Sequence, residues 1–185
     1  MYKRQALPIA LITESDNSGS TNDDNIICLG DNATLDATHP SGTTYLWSNG
    51  ATSATITVSP ALDSTYTVTV TSVYGCSATS SLLITVNPLP SAQIFEFDNS
   101  GTTANDSIIC NGSFVTLTAC CGAGYLWSNG AITATISDSP TANTTYTVTV
   151  TSADGCTSSA SVLITVNTLP NAVIAETDNS GTTNN

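Results

Sequence analysis

Thr65-Tyr66-Thr67-Val68-Thr69-Val70 returns as Thr145-Tyr146-Thr147-Val148-Thr149-Val150, a spacing of 80 residues. In each copy Tyr, Val and Val alternate with threonines, a period of two that puts one face of a strand in a core and the other in water. The same alternation runs through Ala33, Leu35 and Ala37 and through Leu82, Ile84 and Val86. Threonine gives the solvent face β-branched strand propensity without charge, which reconciles a chain that is 40% hydrophobic with one that is only 9% charged.

Outward from these strands the copies stay in register. Ile26-Ile27-Cys28 matches Ile108-Ile109-Cys110, and Tyr45-Leu46-Trp47-Ser48-Asn49-Gly50 matches Tyr125-Leu126-Trp127-Ser128-Asn129-Gly130. Asp16-Asn17-Ser18-Gly19 recurs at Asp98 and again at Asp178, after 82 and then 80 residues. Each copy ends in a proline-bearing joint, Asn87-Pro88-Leu89-Pro90 and Asn167-Thr168-Leu169-Pro170, where strands must stop and a short, stiff connector results. The chain therefore divides into repeat 1 over 6–90, repeat 2 over 91–170 and the truncated start of a third over 171–185. Residues 1–5 are what the codons GTG-TAT-AAG-AGA-CAG encode and read as a sequencing adapter, so a signal peptide is expected to be lost with the true start.

Asn49-Gly50 and Asn129-Gly130 predict type I′ hairpins, and Tyr74-Gly75 and Asp154-Gly155 mark a second turn. About seven short strands in roughly 80 residues predict an all-β, two-sheet antiparallel sandwich with no room for a long helix. Trp47 and Trp127 fall on its central strand, where one large buried ring is needed, with a surface sugar-binding tryptophan as the alternative. Tyr66 and Tyr146 head a late strand, in the manner of a tyrosine corner, and complete the expected core set.

One cysteine pair recurs per repeat. This predicts Cys28–Cys76 and Cys110–Cys156 disulfides, each worth about 4 kcal/mol by the chain-entropy estimate, and an oxidising compartment. Reduced buried thiols are the alternative. Cys120 and Cys121 break the repeat, and a vicinal disulfide, an intermolecular crosslink and neutral drift all stay open for them.

Lys3 and Arg4 are the only basic residues, against 14 carboxylates. A body without fixed positive charge repels polyanions, which excludes nucleic acid, and it holds no P-loop lysine, arginine clamp or Schiff-base lysine. His39 is the sole histidine, in a turn-like run with no counterpart in the second repeat, so it reads as an exposed loop residue. No stretch approaches the apolar length of a membrane helix. No acid, nucleophile or phosphate cradle recurs, and no catalytic residue is assigned.

The acidic segment holds Glu14, Asp16 and Asp24, with Asp23 beside them, and again Glu96, Asp98 and Asp106. Calcium takes six to eight oxygen ligands, and these carboxylates beside an Asp-Asn-Ser-Gly turn could supply some of them. The glutamate that closes an EF-hand loop is missing. Calcium is the one cofactor the sequence admits, and a solvated turn is the other reading of the same residues.

Taken in order, Ile-Cys-x-Gly, Tyr-Leu-Trp-Ser-Asn-Gly-Ala, Thr-Tyr-Thr-Val-Thr-Val-Thr, Gly-Cys and Val-Asn-x-Leu-Pro resemble the PKD-like or Ig-like repeats of very large secreted and surface proteins of bacteria. The resemblance implies tandem immunoglobulin-like sandwiches, export to the cell surface or beyond, and a non-catalytic role as stalk, spacer or adhesin modules. Where PKD domains carry a Trp-x-Phe-Gly-Asp-Gly type run, this chain has Trp47-Ser48-Asn49-Gly50. The partners implied are neighbouring repeats, with surface glycans or other surface proteins. The alternative is an accessory or carbohydrate-binding module of a secreted hydrolase, against which Phe97, Tyr74 and Phe114 form no recurring aromatic pair.

Overall fold

The computed structural model describes residues 8–38, 44–101 and 103–175. His39, the adapter-like residues 1–5 and the Asp178 motif lie outside them. The described chain is all-β and forms two sandwiches of seven strands each, antiparallel but for one parallel pairing in each. The first contains β1 (Thr13–Ser15), β2 (Ile26–Cys28), β3 (Ala33–Asp36), β4 (Thr44–Trp47), β5 (Thr55–Val58), β6 (Ser64–Thr71) and β7 (Ser77–Asn87). The second contains β8 (Gln93–Asp98), β9 (Ile108–Cys110), β10 (Val115–Cys120), β11 (Gly124–Trp127), β12 (Thr135–Asp138), β13 (Thr144–Thr151) and β14 (Thr157–Asn167).

In each sandwich a three-stranded sheet (β1-β3-β5, then β8-β10-β12) faces a four-stranded one (β2-β7-β6-β4, then β9-β14-β13-β11). The first strand is split between the sheets. β1 pairs antiparallel with β3, and β2 then pairs parallel with the end of β7, Cys28 opposite Asn87. The Asp-Asn-Ser-Gly segment is the crossing between them.

The period-two strands supply the core. Ala33, Leu35, Val68, Val70 and Ile84 are buried in the first sandwich, and Val115, Leu117, Val148, Val150 and Ile164 in the second. Trp47 and Trp127 are each 2% exposed, and their indole N–H groups donate to the Ser53 and Thr133 carbonyls at 2.9 Å, so neither ring buries an unpaired donor. On the solvent face hydroxyl pairs take the place of charge: Thr67 with Ser81 and Thr147 with Ser161, each at 2.8 Å.

Tyr146 is buried, and its hydroxyl donates to the Asp138 carboxylate at 2.6 Å instead of to the backbone of a tyrosine corner. Burial and that carboxylate hold its phenol well above the usual range. Val58 stands in the place of Asp138 in the first sandwich, and Tyr66 is half-buried at the core edge.

The Asn-Gly expectation needs correcting. β4 and β5 belong to opposite sheets, as do β11 and β12, so Asn49-Gly50 and Asn129-Gly130 close no hairpin. Of each pair only the glycine has positive φ, and Gly50 N–H donates to the Trp47 carbonyl at 2.9 Å. This is the pattern of a type I turn with glycine at its last position, whereas type I′ needs both central residues left-handed. The turn at Ser72–Cys76 does close a hairpin, between β6 and β7.

Candidate functional site

The length of β7 decides where the cysteines go. Cys28 lies opposite Asn87 at one end of that 11-residue strand, and Cys76 immediately precedes its other end. At about 3.3 Å per residue the two are separated by roughly 33 Å. Cys110, opposite Asn167, and Cys156, just before Thr157, are held apart by β14 in the same way. The expected Cys28–Cys76 and Cys110–Cys156 bridges are therefore replaced: a disulfide tolerates Cα atoms no more than about 7 Å apart. The bridge present is Cys28–Cys156, with Cα atoms 5.5 Å apart, and Cys76 and Cys110 are thiols. Cys120 and Cys121 form a vicinal disulfide at the end of β10, with Cys121 at positive φ.

Cys28–Cys156 joins the far end of the first sandwich to the near end of the second, across a connector of five residues between Asn87 and Gln93. The Ser20 N–H donates to the Asp154 carbonyl at 3.1 Å, and the Ser158 hydroxyl donates to the Pro90 carbonyl at 2.5 Å. Gly155 sits so close to the Gly19–Ser20 backbone that a Cβ there would lie 2.4 Å from the Ser20 nitrogen. The joint is built by the acidic crossing loop of one sandwich and the glycine-cysteine turn of the next.

That loop is organised by its carboxylates. The Asp16 N–H donates to Asp23 Oδ1 and the Asp23 N–H to Asp16 Oδ2, both at 3.1 Å, while the Ser18 N–H donates to Asp16 Oδ1 at 2.6 Å. The second sandwich repeats the clip with Asp98 and Asn105 at 3.2 and 3.0 Å, so position 23 needs an acceptor oxygen and not a charge. Asp23 belongs to the acidic segment already read from the sequence, whereas Asn105 does not, although an Asp or Asn seven residues after Asp16 and Asp98 is the signal available. Ser18 and Ser100 accept the N–H groups of Cys28 and Cys110, which ties the clip to the cysteines.

Of the expected calcium ligands, the loop brings Glu14 beside Asp16 and Glu96 beside Asp98. Asp24 and Asp106 cap the Ile26 and Ile108 N–H groups at 2.9 and 3.0 Å. Among the described residues no group of three or more His, Cys, Asp or Glu is placed to hold a metal ion. An open cleft lies beside the first loop, lined by Asp16, Asn17, Asn22, Asp23, Asp31 and Asn32.

Glu14 Oε2 accepts the Asn25 N–H at 3.0 Å, whereas its buried Oε1 has no donor, and Glu96 is placed alike with Ser107. Burial, opposed by the Asn25 N–H and reinforced by Asp16 and Asp23, pushes the Glu14 carboxyl from an ordinary 4.5 up to about 7. Burial and Asp98 push Glu96 up as well. Asp98 is also buried, but the N–H groups of Ser100 and Asn105 and the Glu96 carboxyl hold it below its usual value. A proton on Glu14 removes the charge that burial and the Asp16 and Asp23 carboxylates disfavour.

The pH consequence follows from the direction. A folded-state pKa raised above the unfolded one means the folded chain binds the proton more tightly, so this contribution is fully present below about 4.5 and lost as pH rises through about 7. The melting temperature is expected to fall between pH 5 and 8. E14Q, an uncharged mimic of the protonated acid, raises the melting temperature at pH 8 and leaves it nearly unchanged at pH 5. Equal effects at both pH values would refute the proton on Glu14, and repeating the titration with calcium and with chelator tests for a cation in its place.

The outer face of the sheet β8-β10-β12 carries a second feature. Phe95 and Phe97 are 57% and 58% exposed, and alternate residues of one strand share one face. Thr118 and Thr116 lie opposite them on β10 and hydrogen-bond to Thr135 and Ser137. The sequence reading had Phe97 without Phe95. Thr13 and Ser15 stand at the matching places of β1, so this face belongs to the second sandwich alone.

No family model and no curated protein matches the chain. Among solved structures it is similar to one concerned with host cell surface retention of a 1.5-MDa bacterial ice-binding adhesin, at 16% identity, covering 89% of this chain and 67% of that chain, TM-score 0.41. It is similar to murine CEACAM1b at 9% identity over 86% of this chain and 100% of that chain, TM-score 0.33. It is also similar to SGBP-B of the Bacteroides ovatus mixed-linkage glucan utilization locus, solved with a mixed-linkage heptasaccharide, at 18% identity over 88% of this chain and 46% of that chain, TM-score 0.27.

Proposed function

We propose that the chain is a non-catalytic spacer and adhesive module of PKD-like type, from a large secreted or cell-surface bacterial protein. The observation that carries this reading is the joint. A five-residue, proline-bearing connector, a disulfide and two hydrogen bonds fix one sandwich on the end of the next, which is what a stalk requires and a freely hinged pair of domains lacks. The disulfide also supports an oxidising, extracellular setting. Among the described residues no helix is long and apolar enough to cross a membrane. Small-angle scattering tests the reading: the size-selected monomer of the oxidised chain should fit one elongated particle of fixed maximum dimension, and a reductant should broaden it into an ensemble. A broad ensemble in the oxidised state would sink the stalk.

A second reading, glycan binding by an accessory module, is favoured by the Phe95 and Phe97 face with its flanking hydroxyls, since sugar rings stack on exposed aromatic faces while hydroxyls orient them. Under this reading at least one of a panel of soluble β-glucans, xylans and mannans raises the melting temperature of the native chain, and F95A/F97A abolishes that rise. No response to any of them would remove it.

A further inference from the structure

We infer that Cys76 and Cys110 are the two halves of a second joint of the Cys28–Cys156 kind, so that units of this type are stapled head to tail, Cys110 of one copy to Cys76 of the next. This deepens the stalk reading and rests on it only for the presence of further units.

The two thiols sit at the two open ends of the described structure. Cys110 ends β9 at the far end of the second sandwich, as Cys28 ends β2 in the first. Cys76 ends the turn before β7 at the near end of the first sandwich, as Cys156 does before β14. Each thiol has the local geometry of its bonded counterpart. The Cys110 N–H donates to Ser100 Oγ at 3.2 Å, as the Cys28 N–H does to Ser18 Oγ at 2.6 Å. Cys76 accepts the Ser72 N–H at its carbonyl and donates to Ser72 Oγ, at 2.8 and 3.3 Å, matching 2.8 and 3.1 Å for Cys156 and Ser152.

What differs is occupancy by a neighbouring sandwich. Cys28 and Cys156 are buried, whereas Cys76 and Cys110 are only half-buried. A Cβ on Gly155 would collide with the Gly19–Ser20 backbone, and one on Gly75, at nearly the same φ (81° against 82°), would meet nothing within 4 Å. Beside Gly75 the turn displays Val73 and Tyr74, 67% and 72% exposed, where a docked loop would cover apolar surface. The occupant that fits is the Cys110 end of a second copy, because the equivalent Cys28 end already mates with the equivalent turn inside this chain. Such a contact joins unlike surfaces and does not close on itself, so it propagates as a line.

The chemistry balances with a small disulfide as oxidant. A Cys110 thiolate attacks oxidised glutathione and expels one glutathione thiolate. The Cys76 thiolate of the next copy attacks the Cys110 sulfur of the mixed disulfide and expels the second. Two protein thiols are oxidised, one glutathione disulfide is reduced to two thiols, and the two thiol protons pass to solvent.

The test mixes C76S and C110S chains, one carrying a mass label, in a glutathione redox buffer, with non-reducing electrophoresis and peptide mass mapping as readouts. Both variants keep the Cys28–Cys156 joint, and mapping verifies that they do. Directed docking gives nearly all of the dimer as the Cys110–Cys76 heterodimer, against the half that random pairing of two thiols would produce, and the unmodified chain gives a ladder of linear oligomers. Homodimers and heterodimer in a one-to-two-to-one ratio, or no dimer at all, would overturn the inference. If the same oxidised chain still scatters as a single fixed rod, that failure removes the stapling between copies and leaves the stalk reading standing.

Discussion

Replacing both bridging cysteines, C28S/C156S, is expected to lower the unfolding temperature of both sandwiches by about 15–30 °C and to separate their transitions. The bridge spans 128 residues, but the relevant loops are shorter. If either sandwich unfolds while the other stays folded, the intact bridge still closes a loop of roughly 65 residues, which by the chain-entropy estimate disfavours that unfolding by about 4 kcal/mol. Differential scanning calorimetry of the wild type with and without a reductant should reproduce the pair of profiles. An unchanged melting profile in the double variant would mean that the joint is ornamental to stability.

The other large effect is W127A. Its indole is 2% exposed at the centre of the second core, and a truncation of this size costs about 3–5 kcal/mol. It also strips the Thr133 carbonyl of its donor. Against the roughly 5–15 kcal/mol that holds a small domain together, this leaves the second sandwich mostly or wholly unfolded at 37 °C. The first sandwich should survive, and W127A leaves Trp47 as the chain's sole tryptophan, so its fluorescence reports the first core while circular dichroism reports both. W127F keeps a ring in the slot and should cost clearly less. A variant that unfolds Trp47 together with the second sandwich would show that the two cores form one cooperative unit.

The strands that hold the core were legible in the sequence because their signal is local. Thr65–Val70 and Thr145–Val150 alternate strictly, and both lie within central strands of the four-stranded sheets. The Asn-Gly turns misled because that dipeptide serves a hairpin or a crossing between sheets equally well. What separates them is whether Asn49 adopts positive φ, which the tertiary path decides. The cysteines misled for a topological reason. Recurrence assigns one pair to each repeat but does not say that the two lie at opposite ends of it. That needs the parallel pairing of β2 with the end of β7, a contact between residues about 59 apart, Ile26 with Thr85, that no local pattern announces. The carboxylates of the crossing loop were found as a cluster. Their role as a clip for backbone N–H groups depends on Asp23 and Asn105 folding back seven residues, which composition does not encode.

The Cys28–Cys156 bridge also sets how the molecule yields to tension. A pull applied between residues 8 and 175 runs down to Cys28, crosses the sulfurs to Cys156 and leaves along β14, so residues 29–155 carry none of it. The contour that can be paid out is about 140 Å, against nearly 590 Å for the same residues with the bridge cut, at about 3.5 Å per residue. Most of the first core and most of the second are mechanically bypassed. The slack held in residues 29–155 is released only when the bridge is reduced.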